Sequence, residues 1–140
     1  MYQTMNLSHA EAQEMIAAIQ KKVEADHKAA SIAVTDSHGE LIAFLRMDGC
    51  HLPPLTIAIN KAFTAARERR ESGEIGRDSL TRPFPMTNYG DLRYVGWAGG
   101  FPVLHDGKVV GAIGISGLDE EEETQLGRMA VDLVTRKQGR

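Results

Sequence analysis

The chain has a single cysteine, Cys50, in 140 residues, so no disulfide can close within it. No apolar run is long enough to span a bilayer, and no charged-then-apolar leader opens the sequence. Both absences point to a reducing, cytoplasmic setting. Neither sign of charge dominates, since 16 Lys and Arg face 19 Asp and Glu for a formal net charge of -3. The basic residues that cluster are Arg67, Arg69, Arg70, Arg77 and Arg82, and they are interleaved with Glu68, Glu71, Glu74 and Asp78. Such interleaving marks a solvated helix face rather than a phosphate track. Nucleic acid and membrane are therefore not expected partners.

Familiar catalytic signatures are missing as well. Gly114-Ile-Ser-Gly-Leu118 begins like a nucleophile elbow but lacks the closing glycine, which removes Ser116 as a hydrolase nucleophile. Gly96-Trp-Ala-Gly-Gly100 has the spacing of neither a phosphate loop nor a dinucleotide-binding turn. No two histidines stand four residues apart, and one cysteine cannot make a Cys-x-x-Cys pair, so a closed structural zinc site is not expected. No repeat or linker divides the chain. Its 42% hydrophobic and 25% charged content suits one soluble domain over residues 1–140, with a flexible tail of about six residues at the start.

What is present is a regular alternation of helices and hairpins. Ser8 and Glu11 have the capping-box spacing, and Leu7, Ala12, Met15, Ile16, Ile19 and Val23 form one apolar stripe, which predicts a helix from about Ser8 to Asp26. Ser31-Ile-Ala-Val-Thr35 and Glu40-Leu-Ile-Ala-Phe-Leu-Arg46 read as strands joined through Asp36-Ser-His-Gly39. Both carry apolar residues on two faces, which suits strands that are covered on both sides or central in a sheet. Pro53 and Pro54 open a second helix, slim with alanine, ending near Ser72-Gly73. Glu74 to Gly90 reads as irregular, and Tyr94-Val95 as the start of a short strand. Asp106-Gly107 sits between apolar runs and signals a second hairpin. A last helix is expected from about Asp119 to Arg136. Antiparallel hairpins with helices packed on them make an α+β domain of PAS- or profilin-like shape.

The chemistry-bearing residues gather in three places. Arg46, Asp48, Cys50 and His51 crowd the loop ahead of the second helix, Lys61 lies on that helix, and Trp97, Gly99 and Gly100 lead into the second hairpin. His51 is a candidate acid, base or iron ligand, because imidazole titrates near neutrality and binds metals. Cys50 reads first as a small unreactive residue, since nothing in the sequence shows a lowered thiol pKa, with thiolate ligation of a haem iron as the alternative. Arg46 suits a bidentate carboxylate clamp. Asp-Gly at residues 48–49 is either a substrate-facing carboxylate or a plain turn pair. Tyr94 and Trp97 suit stacking on a flat ligand or simple packing, and His105 reads as a hairpin-end residue.

These stretches resemble a family. Ser31-Ile-Ala-Val-Thr-Asp with Leu41-Ile-Ala-Phe-Leu-Arg-Met-Asp-Gly49 resembles the first hairpin of GlcG/HbpS-type proteins. Lys61-Ala-Phe-Thr-Ala65 is similar to their Lys-Ala-x-Thr-Ala helix. Gly99-Gly-Phe-Pro-Val103 and Asp106-Gly-Lys-Val-Val-Gly-Ala-Ile-Gly-Ile-Ser-Gly117 resemble their most recognisable stretch. The likeness runs from about Leu7 to Val134. It implies a PAS/profilin-like fold, homo-oligomers, and haem binding or degradation in some members. Related domains end PduO cobalamin adenosyltransferases, and others accompany glycolate or aromatic-compound catabolism. Cys50-His51 is a departure, since that loop more usually reads Asp-Gly-Ala.

Two functions follow as expectations. One is a module binding haem, or another planar or anionic metabolite, in a pocket between the sheet and the second helix. His51 is then the axial-ligand candidate, with Arg46 and Lys61 facing propionates or carboxylates. The other is a cofactor-independent enzyme on a small organic acid or aromatic intermediate, with His51 as acid or base and Asp48 orienting it.

Overall fold

A computed structural model describes residues 1–138. The elements are α1 (His9–Ala25), β1 (Ser31–Asp36), β2 (Leu41–Arg46), α2 (Pro53–Glu68), α3 (Ser72–Ser79), a 3-10 turn (Met86–Tyr89), β3 (Gly100–His105), β4 (Lys108–Ser116) and α4 (Glu120–Gln138). The four strands form one antiparallel sheet in the order β2-β1-β4-β3. Helices α1 and α4 pack together on one face, and α2 crosses the other. The result is the expected α+β architecture.

Local chemistry accounts for most boundaries. Ser8 and Glu11 close a full capping box, with the Glu11 amide donating to Ser8 Oγ and the Ser8 amide donating to the Glu11 carboxylate. The β1–β2 turn is held by Asp36, whose carboxylate accepts the His38 and Glu40 amides at 2.8 and 3.0 Å. In the β3–β4 turn both Asp106 and Gly107 have positive φ, as a two-residue hairpin following right-twisted strands requires. Asn6 and Leu7 tie the start of the chain to both hairpins, through the Ser37 amide and the Val110 carbonyl.

The two faces of the sheet are packed differently. Ile32, Val34, Phe101, Val103, Ile113 and Ile115 meet Met15, Ile19, Val23, Ala130 and Val134 in a large aliphatic core. The opposite face is thin. Ala58 and Ala62 lie on Ala33, and Ala65 and Ala66 lie on Ala112. Glycine lets the backbones approach further: a Cβ on Gly114 would stand 2.1 Å from the Ala58 carbonyl oxygen, and one on Gly100 would stand 2.3 Å from that of Lys61. At those contacts the sheet and α2 touch backbone to backbone, so the expected pocket between them is closed there by packing.

Three expectations need correction. Strand β1 is central and fully covered, but β2 is an edge strand with its apolar residues only half-buried. Ser72-Gly73 does not end α2, which stops at Glu68 with Arg69 in the left-handed conformation; it begins α3. The irregular stretch is therefore helical in part, and residues 94–95 form no strand. Helix α3 holds two glycines and no long apolar stripe, so propensity argues against it. It forms because Gly76 meets Gly96 backbone to backbone and Gly73 meets Ala98, contacts that any side chain would block. The following segment is clamped to α2. The Val95 amide donates to Thr64 Oγ1 at 3.0 Å, and the Arg93 guanidinium stacks 4.0 Å over the buried Phe63 ring while Asp91 and Glu40 hold its edges.

The glycine ledge under α2 sets a testable limit. Gly114→Ala should lower unfolding free energy by about 3 kcal/mol, the upper end of the overpacking range, because the opposing atom is backbone and cannot rotate away. Urea denaturation measures it.

Candidate ligand-binding site

The sheet has two ends. One carries the hairpin turns. The other carries the start of β1, the end of β2, the end of β4 and the start of β3, and it collects most of the candidate residues.

Loop 47–52 is built at this second end. The Met47 amide continues the ladder by donating to the Ala30 carbonyl, the Cys50 amide closes a turn onto the Met47 carbonyl, and Gly49 takes the positive φ this turn needs. Cys50 is half-buried, with its sulfur 3.3 Å from Ser31 Oγ. His51 is exposed beside it. Together with Lys28, Gly49, Gly117 and Leu118 they line a cleft of about 330 Å³, whose acidic side is formed by Asp119 and Glu122. Asp119 accepts the Glu122 amide as a helix cap, and this hydrogen bond holds its carboxyl below the usual range. Both Glu122 oxygens lie 2.8 Å from Lys28 Nζ, and this bonding raises the Lys28 ammonium above its ordinary value.

Behind the cleft wall lies a buried ion pair. Lys61 Nζ stands 3.0 Å from Glu123 Oε1, and each side chain is only 4% exposed. The same nitrogen donates to the Ile115 carbonyl at 2.8 Å. That carbonyl lies where β3 would supply a backbone donor, but the chain turns aside at Gly99 (φ +121), whose own carbonyl accepts the Ile115 amide. The other Glu123 oxygen accepts the Leu118 amide at 3.2 Å. One carboxylate thus joins α2 to the β4–α4 connection that forms the cleft wall. Burial lowers the Lys61 ammonium and raises the Glu123 carboxyl, in each case against the pull of its partner. Desolvation is the larger effect on both. Gly99 is obligatory beside this pair, since a Cβ there would stand 2.8 Å from Lys61 Nζ and 2.9 Å from Glu123 Oε1.

The candidate residues therefore separate into groups. Cys50 and His51 share the cleft; Lys61, Gly99 and Gly100 share the ion-pair site behind it. Arg46 is exposed at the end of β2 opposite Ser31, which puts it on the same face of the sheet as the Ser31 hydroxyl that Cys50 meets. Asp48 is exposed, and among the described residues no hydrogen bond joins it to His51. Trp97 is 66% exposed and does not line the cleft; its carbonyl accepts the Ser72 hydroxyl, which in turn accepts the Gly100 amide. Tyr94 packs edge-on against Phe63 and Tyr89, and burial raises its phenol. His105 stays at the hairpin turn, 3.4 Å from the Asp106 carboxylate.

Lys28 and Glu123 were outside the set read from sequence. Glu123 was hidden in the acidic run that opens α4. Its signal was periodicity, because residues 123, 127, 130 and 134 fall on one buried helix face. A carboxylate on a buried face requires a partner.

A family model described as a haem-degrading, HbpS-like protein matches residues 7–132. Protein GlcG of Escherichia coli K12 is 37% identical over 116 residues, which cover 79% of this chain and 81% of GlcG. A double mutant of Streptomyces reticuli HbpS has a crystal structure that superposes with a TM-score of 0.86 at 27% identity, covering 96% of this chain and 90% of that one. A PduOC–haem complex shares the fold with a TM-score of 0.81 at 22% identity, covering 91% and 94% of the two chains.

The buried pair predicts non-additive mutational effects. Lys61→Met or Glu123→Leu alone should each cost about 3–5 kcal/mol, since each leaves an uncompensated charge. The double variant should lose less than either single one. A double-mutant cycle by chemical denaturation gives the coupling.

Proposed function

The chain belongs to the HbpS-like family, and from that premise we propose that it binds haem, or another planar and anionic small molecule, at the cleft beside His51. The observation that carries this reading is the meeting of an exposed imidazole, a lysine and two side-chain-free walls, Gly49 and Gly117, in one concavity. Bound here, haem would supply an iron open to coordination by a side chain and two anionic propionates. The residues fit that chemistry. His51 holds an imidazole nitrogen at the surface of the cleft, and a histidine is a standard axial ligand. Cys50 is turned toward Ser31 and the His51 carbonyl, so it supports the loop from below. Lys28 lies within the same cleft and offers an ammonium to an anionic group, in competition with Glu122. Arg46 does not line the cleft itself; it is free of ion pairs among the described residues and is assigned to anionic groups of a ligand that extends beyond the cleft. Lys61 is assigned a supporting role, because its ammonium is directed inward.

A volume of about 330 Å³ lies at the low end of the roughly 300–1,000 Å³ seen for ligand pockets. One cleft therefore takes an edge of a haem rather than enclosing it. A second copy of the chain would cover the remainder, and the surface suits self-association. Leu80, Phe84, Leu92 and Trp97 project from the segment after α3 with 66–89% of their surface exposed. Isolated apolar residues are ordinary on a surface, and four large ones on one segment support the reading of a self-association surface. Among the described residues no helix is long and apolar enough to cross a membrane.

Haemin titration followed at the Soret band tests the ligand. Saturable binding is expected, with His51→Ala weakening it at least roughly tenfold through loss of one coordinating bond. An unchanged His51→Ala titration overturns the assignment. For assembly, light scattering after gel filtration should give a mass above that of one chain, reduced by Phe84→Glu combined with Trp97→Glu.

A further inference from the structure

The hairpin-turn end of the sheet, opposite the His51 cleft, holds a groove of about 760 Å³ between the C-terminal end of α2 and the two turns. Arg67, Arg69 and Lys108 line it, with His38, and Glu40 is the one carboxylate among its lining residues. Glu40 is already engaged by Arg93, whose guanidinium nitrogen lies 3.1 and 3.2 Å from its two oxygens. Two cations without an ion pair among the described residues, Arg69 and Lys108, thus converge with Arg67, which shares Glu40 with Arg93, on a concavity in a chain whose net charge is -3.

Two features distinguish this groove from scattered surface charge. Arg67 is held in place: its Nε donates to the His38 carbonyl, its guanidinium lies 4.9 Å over the Phe63 ring, and Glu40 stands 3.8 Å from its far nitrogen. Arg69 occupies the left-handed region at φ +57, where a glycine would sit without strain. His27 and Asp106 share this conformation, and at Arg69 it puts a cation at the end of α2 on the lining of the groove. The end of α2 opposes an anion with only about half an elementary charge, which three cations outweigh.

We propose that this groove binds a small polyvalent oxyanion, a molecule carrying two or more carboxylate or phosphate groups, between Arg67, Arg69 and Lys108. Guanidinium groups match both kinds of group in bidentate geometry, and Lys108 adds a point charge from the opposite turn. The turn itself offers no obstruction, because Gly107 has no side chain and open space beside it. The site is independent of the haem reading, being at the other end of the sheet.

Titration with citrate and, separately, with inorganic pyrophosphate, followed by amide NMR at low ionic strength, tests the proposal. Saturable shifts are expected at Arg69, Gly107 and Lys108 with one or both probes, and the tighter probe identifies the ligand as carboxylate or phosphate. Arg69→Gly with Lys108→Gln should weaken binding roughly tenfold or more. Arg69→Gly alone should raise the melting temperature by relieving the left-handed arginine, so weakened binding in that variant cannot come from unfolding. Haemin titration of the same variant stays unchanged. Absence of saturable shifts with both probes, or equal affinity in the double variant, overturns the proposal.

Discussion

The arrangement of this domain depends on the buried Lys61–Glu123 pair. Helices α2 and α4 lie on opposite faces of the sheet, and Lys61 of one reaches Glu123 of the other where β3 has not yet begun. There the Ile115 carbonyl lacks a strand donor, and Lys61 supplies one from across the layer. Glu123 answers the charge and, through its other oxygen, fixes Leu118. Burial displaces both groups from their ordinary ionisation further than pairing restores them. Replacing a buried pair of this kind by apolar residues of the same volume is often neutral or stabilising, so stability alone does not account for it. What it supplies is position, because Glu123 on α4 holds Lys61 of α2 and the Leu118 amide at the same time.

That constraint propagates in two directions. Toward α2 it demands glycine at 99, 100 and 114, since helix and sheet must come close enough for a lysine on one to reach a carboxylate beyond the other. Toward the surface it sets the Gly117–Asp119 wall, which faces His51 across the cleft. The loop bearing His51 is anchored separately, by Met47 on the β1 side and by Cys50 against Ser31. The two walls of the cleft are thus positioned by different interactions, one ionic and buried, the other a backbone turn.

Much of the fold was legible because its signals are local. The Ser8–Glu11 box, the Asp36 turn, the Asp106-Gly107 hairpin and the Pro53 start each depend on residues within four positions of one another. Helix α3 was illegible because its cause lies elsewhere, in the contact of Gly76 with Gly96. The edge position of β2 was hidden because apolar alternation does not reveal strand order. For the site, residue types pointed to loop 47–52, Lys61 and the Gly99 turn, and the structure places all three at one end of the sheet. Sequence could not show that Lys61 turns inward, because its partner is 62 residues away and concealed in an acidic run.

Native-state hydrogen exchange on the Glu123→Gln variant tests this account most directly, since the substitution keeps shape and removes charge. Protection should fall at Leu118 and Ile115, where Glu123 and the Gly99 turn hold the wall, while the β1–β2 ladder keeps its protection. Uniform loss across the domain, or unchanged exchange at Leu118 and Ile115, would contradict the claim that this pair positions the cleft.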